Sequence, residues 1–545
     1  MISSHINGKL LSVATRVLAS LALLFAASLA TRAQHTGHDM KPMPGMPASS
    51  PTPQASPTPA ASPQAGPSPV ASPQPSSGMS GMDMNGAKHE GHDAMPGMKT
   101  EGGMTNVSES DVNELMVMRG EEMDIRVGTS QKNFMSMGQM GSGTAWQPGS
   151  SPMHMIHKRE GDWLLMFHYN FIGGINHQGG PRGVTKIDSQ NWFMPMAYRR
   201  VGKGTLQLRA MFSLEPFTFP PGGSPLLFQT GETYKGAPLI DKQHPHDLFM
   251  ELSAQYTVPI GERATWFTYF GYPGEPALGP VAFMHRMSAS ENPSAPLGHH
   301  QQDSTHVSFG VLTTGFTYRW FKLEGSIFNG REPDENRYNF EYNPWNSRSA
   351  RLSLAPNANW TFQVSHGFLR NRELFESIDT HRTTASAQYN RTFARGNFAG
   401  ALVWGRNHDN FGGGETANQN AYTGEATVNF IDKNYLYTRL ELVDKNELLR
   451  NADRVRLGIT DDHASFRIGA YTFGYVRNVY ESDNWTVGFG GDFTFYSKPD
   501  MLDQLYGRNP TSYKIFMRVR PGRMKMDGMA HDAHEGHDAS MKHEH

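Results

Sequence analysis

From Gly161 to Arg520 apolar and polar residues alternate with a period of two. Leu206, Leu208, Ala210, Phe212 and Leu214 interleave with Gln207, Arg209, Ser213 and Glu215. Leu248, Met250, Leu252, Ala254, Tyr256 and Val258 interleave with Glu251, Ser253, Gln255 and Thr257. The contrast continues in Phe321 and Leu323 against Lys322 and Glu324, in Ala350, Leu352 and Leu354 against Arg351, and in Tyr422, Ala426, Val428 and Phe430 against Thr423, Glu425, Thr427 and Asn429. Leu436, Leu440 and Leu442 then face away from Arg439 and Glu441. A strand sends successive side chains to opposite faces, so these segments predict a sheet that is greasy on one side and charged on the other. There are about sixteen of them, each close to the roughly ten residues that a tilted membrane strand needs. The reading is all-β: a transmembrane antiparallel β-barrel of about 16 strands (roughly 14–18), apolar outside and polar inside.

The first strand is less polarised, with Trp163, Leu165, Phe167, Tyr169 and Phe171 on one face and Leu164, Met166, His168 and Asn170 on the other. Aromatics at segment ends, Trp163, Trp192, Tyr198, Trp266, Trp320, Trp360, Tyr389, Trp404, Trp485 and Tyr513, are the expected interfacial girdles. Tyr513, Ile515, Met517 and Val519 against Lys514, Arg518 and Arg520 form the closing strand. Inward charges of both signs, Arg209, Glu215, Glu251, Lys322, Glu324, Arg351, Glu425, Arg439, Glu441 and Arg518, argue against a strongly ion-selective pore and are compatible with pairing across a filled lumen. An even strand number sends both chain ends out on one side, expected to be the periplasm. A soluble propeller or sandwich is the competing fold; the lack of a repeat period and the continuous apolar face oppose it.

Ahead of the barrel the texture changes three times. Residues 1–33 read as a secretory signal peptide: Lys9 and Arg16 precede the apolar run Val17 to Ala30, which ends in small residues suited to cleavage. Residues 34–104 are a Met/His- and Pro-rich tail expected to be disordered, because it has no apolar periodicity with which to bury a core. Its Pro/Ala/Ser/Gln section from Pro47 to Ser77 is an extended tether of about thirty residues, reaching on the order of 90 Å. In 105–160, Ser108-Glu109-Ser110-Asp111 reads as a capping box for a short helix carrying Val112, Leu115, Met116 and Met118, followed by a plug or cap segment. The last stretch, 521–545, is a second Met/His-rich tail.

The 545 residues carry a net charge of −2, 31 methionines, 24 histidines and no cysteine. Balanced charge gives no footprint for nucleic acid. Without cysteine there are no thiolate metal sites and no disulfides, which fits an envelope protein. What remains for metal chemistry is imidazole and thioether, ligands that suit copper and related late first-row metals and need not lose a proton at neutral pH. His89-Glu90-Gly91-His92-Asp93-Ala94 recurs as His534-Glu535-Gly536-His537-Asp538-Ala539. Around the copies stand His35, His38, Met40, Met43, Met46, Met79, Met82, Met84, Met95 and Met98 in front, and Met526, Met529, His531, Met541, His543 and His545 behind. A solvated polar tail has no packing reason to collect methionine, so copper ions, Cu(I) or Cu(II), are the expected ligand. Compositional drift is the bland alternative. No H-E-x-x-H helix is present.

Further candidates lie in the folded part. Met135, Met137, Met140, Met153 and Met155, with His154 and His157, are either ligands or the gap-filling residues of a plug. His244 and His246 precede one strand, His285 lies in a Pro-rich loop, and His299, His300 and His306 lead into another strand. If these loops fold inward they bring imidazole to Asp247 and Asp303, a set that suits Cu(II) or Zn(II). Each histidine taken singly is as well explained by a hydrogen bond bracing its loop. No Gly-x-Ser-x-Gly elbow occurs and no enzyme activity is expected.

Signal peptide, Met/His tail with Gly37 to Met40 and Gly81 to Met84 clusters, and then a barrel together resemble the layout of the copper-resistance protein B family. Gly143-Thr144-Ala145-Trp146-Gln147-Pro148, Gln243-His244-Pro245-His246-Asp247 and Phe328-Asn329-Gly330-Arg331-Glu332-Pro333 are similar to a group of uncharacterised outer-membrane proteins that accompany heavy-metal systems. The resemblance implies a role in copper handling and brings no catalytic residues. The expectation is therefore a bacterial outer-membrane barrel with periplasmic tails that capture copper for sequestration or export. Its expected partners are membrane lipid, transition-metal ions and periplasmic metal carriers; homo-oligomerisation is left open. A general porin with incidental metal-binding tails is the second reading, and a barrel enzyme on envelope lipid the third.

Overall fold

The computed structural model describes residues 115–119, 122–372, 377–482 and 484–524. The chain divides into two compact units, 1–100 and 101–545, and the description that follows belongs to the second. The signal peptide, the Met/His residues of 34–104 and those of 525–545 lie outside the described residues.

Three short strands lead: β1 (Met116–Arg119), β2 (Glu122–Arg126) and β3 (Phe134–Ser136), paired in that order. The helix expected over Leu115, Met116 and Met118 is thus a strand at Met116–Arg119, while its capping box lies outside the described residues. Pairing with β2, whose Met123 and Ile125 are buried, outweighs the weak local preference for helix. A fourth short strand, β4 (Ile156–Glu160), lies against the start of β5 (Trp163–Gln178).

The wall continues with β6 (Thr185–Val201), β7 (Gly204–Phe212), an inner hairpin of β8 (Ser224–Tyr234) and β9 (Ala237–Gln243), β10 (Phe249–Ile260), β11 (Ala264–Gly271), β12 (Val311–Tyr318) and β13 (Phe321–Phe328). There follow β14 (Ser347–Asn357), β15 (Trp360–Leu369), β16 (Asp379–Phe393), β17 (Gly396–Gly412), β18 (Glu415–Phe430), β19 (Asn434–Lys445), β20 (Phe466–Glu481), β21 (Thr486–Ser497) and β22 (Thr511–Arg520). Among the described residues β5–β7 and β10–β22 form a closed antiparallel barrel of 16 strands, each paired with the next wall strand, β7 with β10 across the β8–β9 insertion, and β22 returns to pair with β5. Closure leaves no unpaired edge, the condition for a sheet in lipid.

The exterior carries the expected apolar face, with Leu165, Leu208, Trp266, Leu323, Leu352, Leu402, Tyr422, Leu436 and Ile515 all exposed. Trp320, Trp360, Trp485 and Tyr513 are exposed near strand ends, as girdle residues should be. Trp192 and Tyr198 are not: both are buried inside, because Trp192, Met194, Met196 and Tyr198 share the inward parity of β6. Met250 also faces inward, since a bulge between Phe249 and Glu251 shifts its register against β7. Glu215 keeps its inward position but not its strand. β7 ends at Phe212, and Glu215 opens a short helix, α1 (Glu215–Thr218), where Pro216 has no N–H to offer the ladder.

The lumen is filled. Cross-strand neighbours Glu324 and Arg351 pair at 2.9 Å, and Glu425 and Arg439 at 3.2 Å. Two inserts cover what the wall leaves open. From one end, Thr144 donates to Glu324 at 2.6 Å, and Lys322 sits over the Trp146 ring at 4.7 Å. From the other, the β11–β12 connection (272–310) crosses the barrel. Gly279 N–H reaches Ser365 at 2.9 Å, Arg286 pairs with Glu425 at 2.5 Å, and Glu291 meets Arg518 and Arg520 on the far wall. The connections on one rim, 202–203, 261–263, 319–320, 358–359, 394–395, 431–433 and 482–485, are all short. The stretches just before β5 and just after β22 meet at that rim, where His154 bridges to Arg523.

Candidate functional site in the barrel lumen

Three inward-folded connections arise from consecutive wall positions, β7–β10, β11–β12 and β13–β14, so they meet under the same arc of the barrel. Pro245 interrupts β-pairing between β9 and β10 and leaves His244 and His246 on an irregular corner. In the β11–β12 connection a single helical turn, α2 (His299–Gln302), sets His299 one turn before Asp303, and the rings of His299 and His306 come to 5.1 Å. His246 lies 5.2 Å from His306, ring to ring, and His244 lies 6.3 Å from His246 and 5.8 Å from His300. The convergence that the sequence left conditional is therefore present for His244, His246, His299, His300 and His306.

Each of these rings is anchored through Nδ1. His246 Nδ1 lies 2.8 Å from Glu215, His299 Nδ1 2.6 Å from Asp303, His306 Nδ1 2.8 Å from the Asp303 carbonyl and His300 Nδ1 3.3 Å from Glu332. An acceptor at Nδ1 holds the ring proton there and leaves the Nε2 lone pair free. The Nε2 atoms of His244, His246, His300 and His306 are buried without a hydrogen-bond partner. His244 Nε2 does approach Glu232 to 3.1 Å, out of line for a hydrogen bond. A cavity of about 20 Å³ lies between His244, His246, His299 and His306, with Glu232, Asp247 and Glu332 on its border. That is room for one water or one ion. His300 turns its Nε2 the other way, toward Gly231, where a Cβ would stand 2.3 Å from it.

Burial sets the electrostatics. It holds His300 at about 4 and His306 at about 3, so both are neutral at physiological pH, and pushes Glu232 up to about 8 against the pull of Arg337. Arg337 also pairs with Asp247 at 3.2 Å, and Arg286 with Asp303 at 3.2 Å. Neutral imidazoles backed by carboxylates are the form in which histidine ligates a metal. Among the described residues no three His, Asp or Glu side chains already surround one point as a finished coordination shell.

The other sequence candidates go elsewhere. His285 packs on Trp192 at 4.5 Å, with Nε2 3.4 Å from Met211 Sδ. His154 is buried on the short-turn rim with Nδ1 3.3 Å from the Pro521 carbonyl, and His157 is half-buried on β4. Glu232, Glu332 and Arg337, which border the cavity, and Glu215, which holds His246 from outside it, are not site candidates in the sequence. Glu332 stands in the sequence only as part of the Phe328–Pro333 motif, with no signal that it would be buried.

No protein-family model matches the chain, and no curated protein matches it. Solved structures with a related outline include an anion-selective porin from Comamonas acidovorans, at 11% identity over 65% of this chain and 99% of that one, with a TM-score of 0.41. A Salmonella typhi OmpF complex with daunomycin matches at 10% identity over 67% and 100%, with a TM-score of 0.40. The outer-membrane channel DcaP of Acinetobacter baumannii matches at 7% identity over 67% and 98%, with a TM-score of 0.38. These likenesses are slight, and the fold rests on the strand pairing itself: the chain is a closed 16-stranded barrel of the outer-membrane type.

Proposed function

We propose that this barrel is a channel-type outer-membrane protein specialised for transition-metal cations, with the imidazole cavity as the station where the cation rests inside the wall. One observation carries the reading: the buried Nε2 atoms of His246 and His306, which have no hydrogen-bond partner, belong to rings that border a cavity the size of a single ion. Leaving such nitrogens dry and unpaired costs free energy that a bound ion would recover. The tails support the same reading. The stretches flanking the barrel meet at the rim of short turns, the rim that faces the periplasm in barrels of this kind. Met/His-rich sequence on both sides of the barrel in the chain would collect copper for it, as the copper-resistance protein B layout implies.

A general solute channel is the second reading, favoured by the closed wall and the mixed charges of the lumen. Against it stands the β11–β12 connection, which ties both sides of the lumen together. Cu(II) binding to the full-length protein in detergent, read by electron paramagnetic resonance, separates the two. The metal reading expects a buried, nitrogen-ligated copper signal beyond that of the tails, lost in His246→Ala with His306→Ala, a larger effect than the roughly 10–100-fold that removing an outer-shell partner such as Glu215 would cost. An unchanged copper signal in that variant, together with wide ohmic conductance in planar bilayers indifferent to Cu(II), leaves the general channel.

A further inference from the structure

Methionine is not spread through the interior of this barrel. One cluster of 14 buried residues contains eight methionines, Met123, Met137, Met155, Met166, Met194, Met196, Met211 and Met250, and all six partly buried residues packed on it are methionines too. The three other buried clusters contain leucine, phenylalanine, tyrosine, valine, isoleucine and alanine and no methionine. If methionine served here only to fill irregular gaps, it should recur where the β8–β9 hairpin packs against the wall, a junction no more regular. There Leu226, Leu227 and Phe228 do the work.

The location is specific as well. Met166, Met194, Met196, Met211 and Met250 come from the inward faces of β5, β6, β7 and β10, neighbours in the wall. Elsewhere the lumen-facing wall carries residues such as Arg351, Arg382, Gln388 and Glu425. Opposite them stand Met137, Met140 and Met155 of the insert from the short-turn rim, where Met524 donates its N–H to the Met153 carbonyl. Two thioethers already face polar hydrogen: Tyr198 Oη lies 3.6 Å from Met140 Sδ, and His285 Nε2 lies 3.4 Å from Met211 Sδ. Beyond His285 a further cavity, bordered by Trp192 and Met284, reaches His246 of the imidazole site.

We propose that this methionine face is a second metal-binding region, a thioether path for a soft monovalent cation, Cu(I), running from the rim of short turns to His285. Thioethers are neutral and polarisable, so they bind Cu(I) without losing a proton and discriminate against hard cations such as Na⁺ and Mg²⁺. Several weak, equivalent ligands in sequence permit stepwise exchange, because each handover keeps part of the coordination shell. The inference deepens the metal reading given above, and it differs from that reading in ligand, oxidation state and place.

The test uses the full-length protein in detergent, labelled with [¹³C]methyl methionine and titrated with Ag(I) as a redox-inert substitute for Cu(I). The methyl resonances of Met194, Met196 and Met211 are expected to shift once the tail methionines are saturated. The variant Met194→Leu/Met196→Leu/Met211→Leu, which nearly conserves volume, should bind at least one equivalent of Ag(I) fewer while retaining the heat-modifiable gel mobility of a folded barrel. The titration of the unaltered protein decides the matter even if that variant misfolds. His246→Ala with His306→Ala should leave the Ag(I) shifts intact, so failure of the imidazole site and failure of the thioether path are read separately. Shifts confined to tail resonances, or an unchanged Ag(I) stoichiometry in the folded leucine variant, would overturn the proposal.

Discussion

At the scale of single residues the lumen behaves as a protein interior, and its ionisable groups are held by burial. Glu275, at the start of the β11–β12 connection, is pushed up to about 8 by burial, with Arg351 pulling in the opposite direction. Its folded form therefore favours the proton. The stability it contributes is complete below the ordinary glutamate range, declines as pH rises and is gone above about 8. Glu275→Gln, which mimics the protonated acid, should flatten this slope and raise the unfolding midpoint relative to the unaltered protein at pH above about 8, while the two agree in mild acid. Thermal unfolding followed by gel mobility across that range checks it; parallel slopes would contradict the assignment. Single residues also mark where sequence reasoning stopped. Trp192 looks like a girdle residue in a string of letters, and only its parity within β6 reveals that it faces the lumen beside His285.

At the scale of elements, the β11–β12 connection decides whether the barrel is a pipe or a closed vessel. Its contact with β22 rests on one carboxylate, since Glu291 neutralises Arg518 and also lies 2.9 Å from Arg520, while Arg439 and Thr427 hold the Ser294 and Ser288 carbonyls from β19 and β18. Glu291→Gln removes that charge and leaves two buried guanidinium groups facing each other, a loss of about 3–5 kcal/mol for a broken buried pair. The expected outcome is a lower unfolding midpoint and a higher single-channel conductance in planar bilayers, because the connection loses its anchor on β22. Unaltered conductance and stability would mean that the loop is held elsewhere. Strands were the most legible elements in the sequence: alternation is a local property, and the first and last wall strands fall at Trp163 and Arg520, close to where the pattern starts and stops. The bulge that turns Met250 inward and the strand at Met116–Arg119 were not legible, since both depend on a neighbouring strand rather than on local sequence.

At the scale of the whole molecule, the two residue types proposed here as metal ligands occupy different places in the lumen. Methionine lines the arc of the lumen from β5 to β10 and reaches the short-turn rim at Met153 and Met524, and histidine gathers beneath the inward-folded connections. The sequence shows that both residue types are abundant and that the histidines cluster in loops. It cannot show that three loops meet, because convergence is a consequence of barrel closure and of the inward fold of 272–310. The central claim is that the imidazole cavity holds a transition-metal ion. The most direct measurement is anomalous scattering at the copper edge from crystals of the full-length protein grown with Cu(II). The account predicts a peak within coordination distance of the Nε2 atoms of His246 and His306, with their Nδ1 contacts to Glu215 and the Asp303 carbonyl retained. A well-ordered cavity with no peak, while copper appears elsewhere on the protein, would contradict it.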